Sequence, residues 1–178
     1  MKSPVKMAIF VGLWALANRL PHPRARAAAL RGLGAKLGEN VRIHPCRLIN
    51  FEQGFSNLQI GSNVYIGADV LLDLAGPLQI GDRATISARC CIMTHHDSGA
   101  SHNNALLSAF PPTKNGCQIG ADAWLGVGVI VLEGCTIGSG CAVGAGAVVT
   151  RPLPSNTVCV GVPAAVVRQL ANETLDQN

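Results

Sequence analysis

The sequence predicts an all-β chain wound as a parallel β-helix, and two observations carry that prediction. An aliphatic residue returns every sixth position at Ile119, Leu125, Val131, Ile137, Val143 and Val149. The same spacing reappears upstream at Leu37, Ile43 and Ile49, at Ile60, Ile66 and Leu72, and at Ile80, Ile86 and Ile92. Helical stripes recur at three and four residues and strand stripes at two, so a sustained period of six belongs to a repeat architecture. A second column stands four residues after most of these positions: Val41, Val64, Val70, Ala84, Cys90, Ala123, Val129, Cys135, Cys141 and Ala147, all small and apolar. One large and one small inward side chain per repeat fill a narrow prism.

Fifteen hexads group as five sets of three. Three hexads make one triangular coil, so about five coils stacked at the strand spacing of roughly 4.8 Å rise about 24 Å. Interruptions follow Ile49, Leu72 and Ile92, each at the end of a set, so every insertion leaves the prism at the same corner. In repeat proteins such insertions gather on a functional face. The 178 residues are 48% hydrophobic but only 4% aromatic, which suits a stacked repeat more than a layered globular core.

Residues 1–36 read as an N-terminal helical segment, two short helices joined at Pro21-His22-Pro23. The first coil needs such a cap, because its apolar interior and strand edge would otherwise be exposed. Met7 to Ala17 is an apolar stretch of eleven residues behind Lys2 and Lys6, too short to span a bilayer. It also has the ingredients of a signal peptide or a membrane-surface helix. The β-helix is expected over 37–163 with a long loop at 93–118, and residues 164–178 are expected to form a short C-terminal helix and tail.

Net charge is +4, yet nine of fourteen Lys and Arg precede residue 50, against one acid, Glu39. A basic leading segment faces solvent or an anionic partner. Seven cysteines, an odd number with no CxxC pair, indicate a reducing compartment. Cys90, Cys135 and Cys141 fall in the small inward column, and Cys117 and Cys135 stack one coil apart, close enough to raise the question of a disulfide. The glycine run GSGCAVGAGA belongs to the hexads and opens no helix after a lone strand, so it fails the context of a dinucleotide loop.

The largest interruption, from Met93 to Cys117, opens with His95, His96 and Asp97 and holds three of the five histidines, with His102. A neutral imidazole takes a proton near neutral pH, and a nearby carboxylate orients it and stabilises the resulting cation. These residues, the THHD that opens the loop, the ADAWLG that restarts the coils, and the ending VGAGAVVTRPLPSNTVCVGVPAAVVRQL resemble the hexapeptide-repeat acyltransferases. The resemblance covers about residues 37 to 170 and is nearest to the sugar and polysaccharide O-acetyltransferases, such as the galactoside, maltose and colanic-acid-type enzymes.

That resemblance implies a left-handed helix and a homotrimer with acetyl-CoA in a groove between neighbouring prisms. It also implies a loop histidine as general base toward an acceptor hydroxyl of a sugar or glycan, with backbone N–H groups holding the oxyanion. His96 keeps both the Thr-x-His spacing from Thr94 and the step to Asp97, and is favoured over His95 as the base. Asp73, in the LLD element, resembles the acceptor-binding aspartate of the sugar enzymes. Trp124 resembles the tryptophan beside the pantetheine arm. Val127, Ala145, Thr150 and Arg151 match positions where coils meet CoA, and Arg168 matches a basic residue at the nucleotide phosphate. The earlier basic position of the ending is Ala165 here, where a charge-assisted bond of about 1.5 to 3 kcal/mol would be missing.

The family reading places the protein in the cytoplasm, with contact to the inner membrane surface through the basic N-terminal segment, no nucleic-acid partner and no metal. Alternatives share the fold. One is an N-acetyltransferase of an amino sugar or other small acceptor. Another is a trimeric zinc carbonic anhydrase, which needs three histidine ligands, although no histidine follows His102. A non-catalytic scaffold is the third, and it would have no use for THHD at the mouth of the loop.

Overall fold

The computed structural model describes residues 4–51 and 54–171. Its strands come in threes. The first coil is β1 (Lys36–Leu37), β2 (Arg42–Ile43) and β3 (Arg47–Ile49), and the second is β4 (Leu58–Ile60), β5 (Tyr65–Ile66) and β6 (Leu71–Asp73). The third is β7 (Leu78–Ile80), β8 (Thr85–Ile86) and β9 (Cys91–Ile92), and the fourth is β10 (Cys117–Ile119), β11 (Trp124–Leu125) and β12 (Ile130–Val131). The fifth is β13 (Thr136–Ile137), β14 (Ala142–Val143) and β15 (Val148–Val149), followed by β16 (Thr157–Val160) and β17 (Ala165–Gln169).

Every third strand pairs in parallel, which makes three flat sheets and a triangular left-handed β-helix. The first sheet runs β1-β4-β7-β10-β13, the second β2-β5-β8-β11-β14-β16-β17, and the third β3-β6-β9-β12-β15. Beyond the five expected coils there is a partial sixth: Leu153 bridges Ile137, β16 pairs with β14, and the Ala164 N–H donates to Val148 O. The solenoid therefore has about six turns.

The core is the two columns. Every residue of the small column is buried, and so is every hexad aliphatic except Leu37 and Ile49. Ile49 misses because the crossing from β2 to β3 is one residue short, so Leu48 pairs with Leu72 and is buried while Ile49 pairs with Asp73. The three expected excursions connect β3 to β4, β6 to β7 and β9 to β10, all at the corner between the third and first sheets. Between β12 and β13 the same corner is crossed tightly, with Gly134 at φ 74°. A left-handed turn of this kind costs glycine least.

The expected helical cap is present as α1 (Pro4–Ala17) and α2 (Pro23–Gly32). His22 caps α2 by accepting from the Arg24 N–H, and Pro23 opens it. Leu30 is buried, and the buried Arg26 donates from Nε to Asn18 O at 3.1 Å and from Nη1 to Ile43 O at 3.0 Å. The first bond braces the two helices of the cap, and the second ties the cap to the first coil. Lys2 lies outside the described residues.

The expected C-terminal helix is not formed over 165–169. Ala165–Gln169 instead run antiparallel to β16. The adjacent β-branched pair Val166-Val167 fits a pleat, and the last strand of the second sheet needs a partner along its open edge. Residues 172–178, the expected tail, lie outside the described residues. All seven cysteines are free thiols. Cys117 and Cys135 are buried small hydrophobes of adjacent coils, and burial pushes the Cys117 thiol up to about 12.

Candidate active site

The long loop is pinned at its mouth. Thr94 and Asp73 are both fully buried; the Thr94 N–H and hydroxyl donate to Asp73 Oδ2, each at 2.8 Å. Thr94 Oγ1 in turn accepts from the Gly76 N–H at 2.9 Å. The backbones of His96 and Thr113 exchange two hydrogen bonds of 3.1 Å, so the outgoing and returning arms form one antiparallel bridge. Both histidines therefore stand on a braced stem rather than on a free loop.

Each imidazole has its own carboxylate. His95 Nδ1 lies 2.5 Å from Asp73 Oδ2, and His96 Nδ1 lies 2.9 Å from Glu133 Oε1. Thr113 Oγ1 lies 3.0 Å from His96 Nδ1 and donates to Glu133 Oε1 at 2.5 Å, while Glu133 Oε2 accepts from the Asn115 N–H at 3.2 Å. Burial pushes the Asp73 carboxyl up, but bonds from His95, Asn50 and Thr94 outweigh it and bring it down to about 2. Glu133 follows the same logic: burial raises it, and bonds from Thr113, His96 and Asn115 lower it further.

An ionised carboxylate only accepts, so each Nδ1 carries a proton, and in the neutral ring the lone pair then lies on Nε2. Among the described residues, His96 Nε2 is the one buried side-chain nitrogen or oxygen with no hydrogen-bond partner. A held imidazole with a shielded, unused lone pair is the arrangement of a general base.

Two expectations need correcting. Asp97 does not orient His96: its Oδ1 accepts from the Gly99 and Ala100 N–H groups at 2.7 Å each, a turn on the solvent side. Those two bonds hold its carboxyl below the usual range. Asp73 has no exposed surface, and its oxygens are taken by His95, Thr94, Asn50 and the Ala75 N–H. It stands behind His95 rather than at the acceptor. Sequence reasoning missed Glu133 and Thr113. The signal for Glu133 was present, since it is the lone charged residue between Asp122 and Arg151.

The residues expected at CoA fall into two groups. Trp124, Ala142, Val158 and Arg168 are successive partners in one row across the second sheet, so Trp124 and Arg168 share an outward face. Trp124 is 56% exposed and its Nε1–H donates to Ser87 Oγ at 3.2 Å. Val127 and Ala145 stand on the neighbouring corner, where the Gly146 N–H donates to Val127 O. Thr150 and Arg151 lie at the other corner, directly after β15 and on the side of the histidine loop. The face between the two groups is the third sheet, whose outward row is Leu71, Cys91, Ile130 and Val148.

A groove of about 780 Å³ runs along the first sheet, lined by Arg31, Lys36, Gln59, Gln79 and Gln118 among others. Neither histidine nor its carboxylate lines it, so it is not the site of the chemistry. Among the described residues there is no cluster of three His, Cys, Asp or Glu suited to a metal ion.

A triangular prism of hexads with a carboxylate-held histidine at the mouth of its longest loop defines a hexapeptide-repeat transferase. The chain belongs to that family: the bacterial transferase hexapeptide (six repeats) matches residues 116–151, and relatives match far more of the chain. WcaF of Escherichia coli (strain K12), which carries the name of a colanic acid biosynthesis acetyltransferase, is 37% identical over 147 residues, covering 82% of this chain and 75% of WcaF. Galactoside O-acetyltransferase of the same strain is 31% identical over 150 residues, covering 82% and 68%. A maltose O-acetyltransferase from Clostridium difficile 630 superposes with a TM-score of 0.75 at 26% identity, over 93% of this chain and 86% of that one. A hexapeptide-repeat acetyltransferase from Vibrio cholerae shares the fold, with a TM-score of 0.81 at 24% identity over 96% and 95%. The chain is an acyltransferase.

Proposed function

We propose that this protein is an O-acetyltransferase that moves an acetyl group from acetyl-CoA to a hydroxyl of a sugar or polysaccharide precursor. The observation that carries this reading is His96, with Nδ1 held by Glu133 and Nε2 shielded and unpartnered. Nε2 takes the acceptor hydroxyl proton as the oxygen attacks the thioester carbonyl. Collapse of the tetrahedral intermediate breaks the C–S bond, and the departing CoA thiolate takes the proton back from the imidazolium. His95, backed by Asp73, stands beside the base and orients the acceptor. Relatives named for colanic acid and galactoside acetylation support the acceptor class.

The working unit is a homotrimer. Within one chain the third sheet separates Trp124, Val127, Ala145 and Arg168 from Thr150, Arg151 and the histidines. A neighbouring prism packed on the apolar row of Leu71, Ile130 and Val148 would bring one chain's pantetheine face to its partner's histidine corner. In this reading the enzyme works in the cytoplasm, with its basic N-terminal segment toward the inner membrane surface. Purified protein incubated with acetyl-CoA and a panel of sugars, followed by free thiol, tests the reading. His96→Ala should abolish transfer and His95→Ala should weaken it; full transfer in both would remove the proposed base.

A further inference from the structure

The helix α1 is apolar nearly all round but is covered on one side only. Phe10, Trp14 and Ala17 turn toward the protein, where Phe10 and Trp14 pack on the ring of Phe55. The adjoining flank carries Ile9, Leu13 and Leu16 at i, i+4 and i+7, exposed by 54%, 46% and 67%, and Val11 on the far flank is exposed by 46%. Helices that are apolar all round are normally buried all round. Half of this one has no partner.

The coil beneath it is basic on every face. The outward residue of each strand in the first coil is Lys36, Arg42 or Arg47, and all three are exposed. The same outward positions in the next coil are Gln59, Tyr65 and Leu71. Arg19, Arg24 and Arg31 add exposed cations from the cap itself. Among the described residues none of these six forms a salt bridge with a carboxylate; the one Arg–Asp pair is Arg83–Asp122, on later coils. The cation ring and the apolar helix share one end of the prism.

We propose that this end is a docking surface for an anionic lipid bilayer, with the Ile9–Leu13–Leu16 face in the acyl boundary and the basic first coil at the headgroups. An apolar helix face flanked by Lys and Arg binds such an interface through buried apolar area and electrostatic attraction together. The occupant is lipid rather than protein because the outward strand residue is a cation on all three sides of the first coil, against the single exposed acid Glu39 at the corner between β1 and β2. The proposal deepens the acetyltransferase reading, on which it rests for the acceptor. β9, which leads into the histidine loop, stands two coils from β3, roughly 10 Å along the axis, so the histidine corner would face glycans carried at the membrane surface. Phe55, under α1, belongs to the excursion that also supplies Asn50, whose side chain donates to Asp73 Oδ1 at 2.8 Å behind His95.

The test is co-sedimentation of the full chain with vesicles of phosphatidylglycerol and phosphatidylcholine against vesicles of phosphatidylcholine alone, at low and raised salt. Leu13→Gln with Leu16→Gln keeps helix propensity and removes the exposed apolar area. Wild type should sediment with the anionic vesicles, release as salt rises, and bind at least about tenfold less after the double substitution. Light scattering and thiol release from acetyl-CoA with a soluble acceptor should be unchanged in that variant. Wild type left in the supernatant with anionic vesicles overturns the proposal. So does a variant that binds as well as wild type, or one whose oligomer falls apart, since a second copy would then own the face. His96→Ala bound to vesicles but inactive separates the two readings: docking survives where the chemistry fails.

Discussion

Glu133 Oε1 lies 2.9 Å from His96 Nδ1, although the two residues are 37 apart in the chain. The carboxylate comes from the tight corner between β12 and β13 and the imidazole from the mouth of the long loop, and stacking of the coils brings them together. The pair fixes which nitrogen of His96 is free.

Glu133→Gln keeps the size of the side chain but removes the charge that holds the Nδ1 proton. A fall in kcat of about 10- to 100-fold is expected, with little change in the KM for acetyl-CoA, against a loss of about 100-fold or more for His96→Ala. Steady-state thiol release with a defined acceptor measures both. A Glu133→Gln enzyme with unaltered kcat and pH profile would assign Glu133 to loop structure alone.

The buried Asp73 carboxylate makes an acid-sensitive joint. Its pKa is lowered from the ordinary 3.8 to about 2, so the folded state holds the ionised form better than the unfolded chain does. The associated stability, about 2 kcal/mol, is fully present above pH 4 or so and is lost as pH falls toward 2. Thermal melts of wild type should therefore drop over that window. Asp73→Asn should melt lower at neutral pH and follow acid less steeply; parallel curves would count against this account.

A methyl group at Gly76 would sit 2.7 Å from Thr94 O and 3.0 Å from Lys114 O, both backbone atoms at the mouth of the loop. Gly76→Ala must push the loop stem away. A loss of about 1 to 3 kcal/mol in denaturant unfolding is expected, with activity falling further than stability explains because the stem carries both histidines. Activity equal to wild type at a temperature where the variant is fully folded would sink the idea.

Ile130, 37% exposed, stands in the middle of the apolar row of the third sheet. If that face is closed by a neighbouring prism, Ile130→Asp buries an unpaired charge there and should weaken assembly by at least about tenfold. Light scattering should register the smaller species and thiol release the lost activity. Trp124→Ala, by contrast, should raise the KM for acetyl-CoA while the assembly stays intact.

Much of the site was legible because the hexads act as a ruler. Laid in threes, they put His95 and His96 at the insertion corner and place Trp124 on an outward face of the second sheet. The ruler slipped at Ile49, where a crossing one residue short turned Leu48 inward instead. It also ran out after Val149, where Val166-Val167 extended as a strand and not the short helix expected from residue 164.

By itself the sequence determined the prism, its corners, the cap and the loop that holds the histidines, because a six-residue period is a local rule repeated along the chain. Only the tertiary structure decided the partners. Asp97 is next to His96 in sequence, yet it turns away to cap Gly99 and Ala100, while Glu133 reaches in from the next coil and Asp73 from the coil before. Stacking places residues about 20 or more positions apart within hydrogen-bonding distance, and nearness along the chain cannot express that. The physical reason is the rise of roughly 4.8 Å per coil, shorter than a side chain, so chemistry in this fold is assembled vertically.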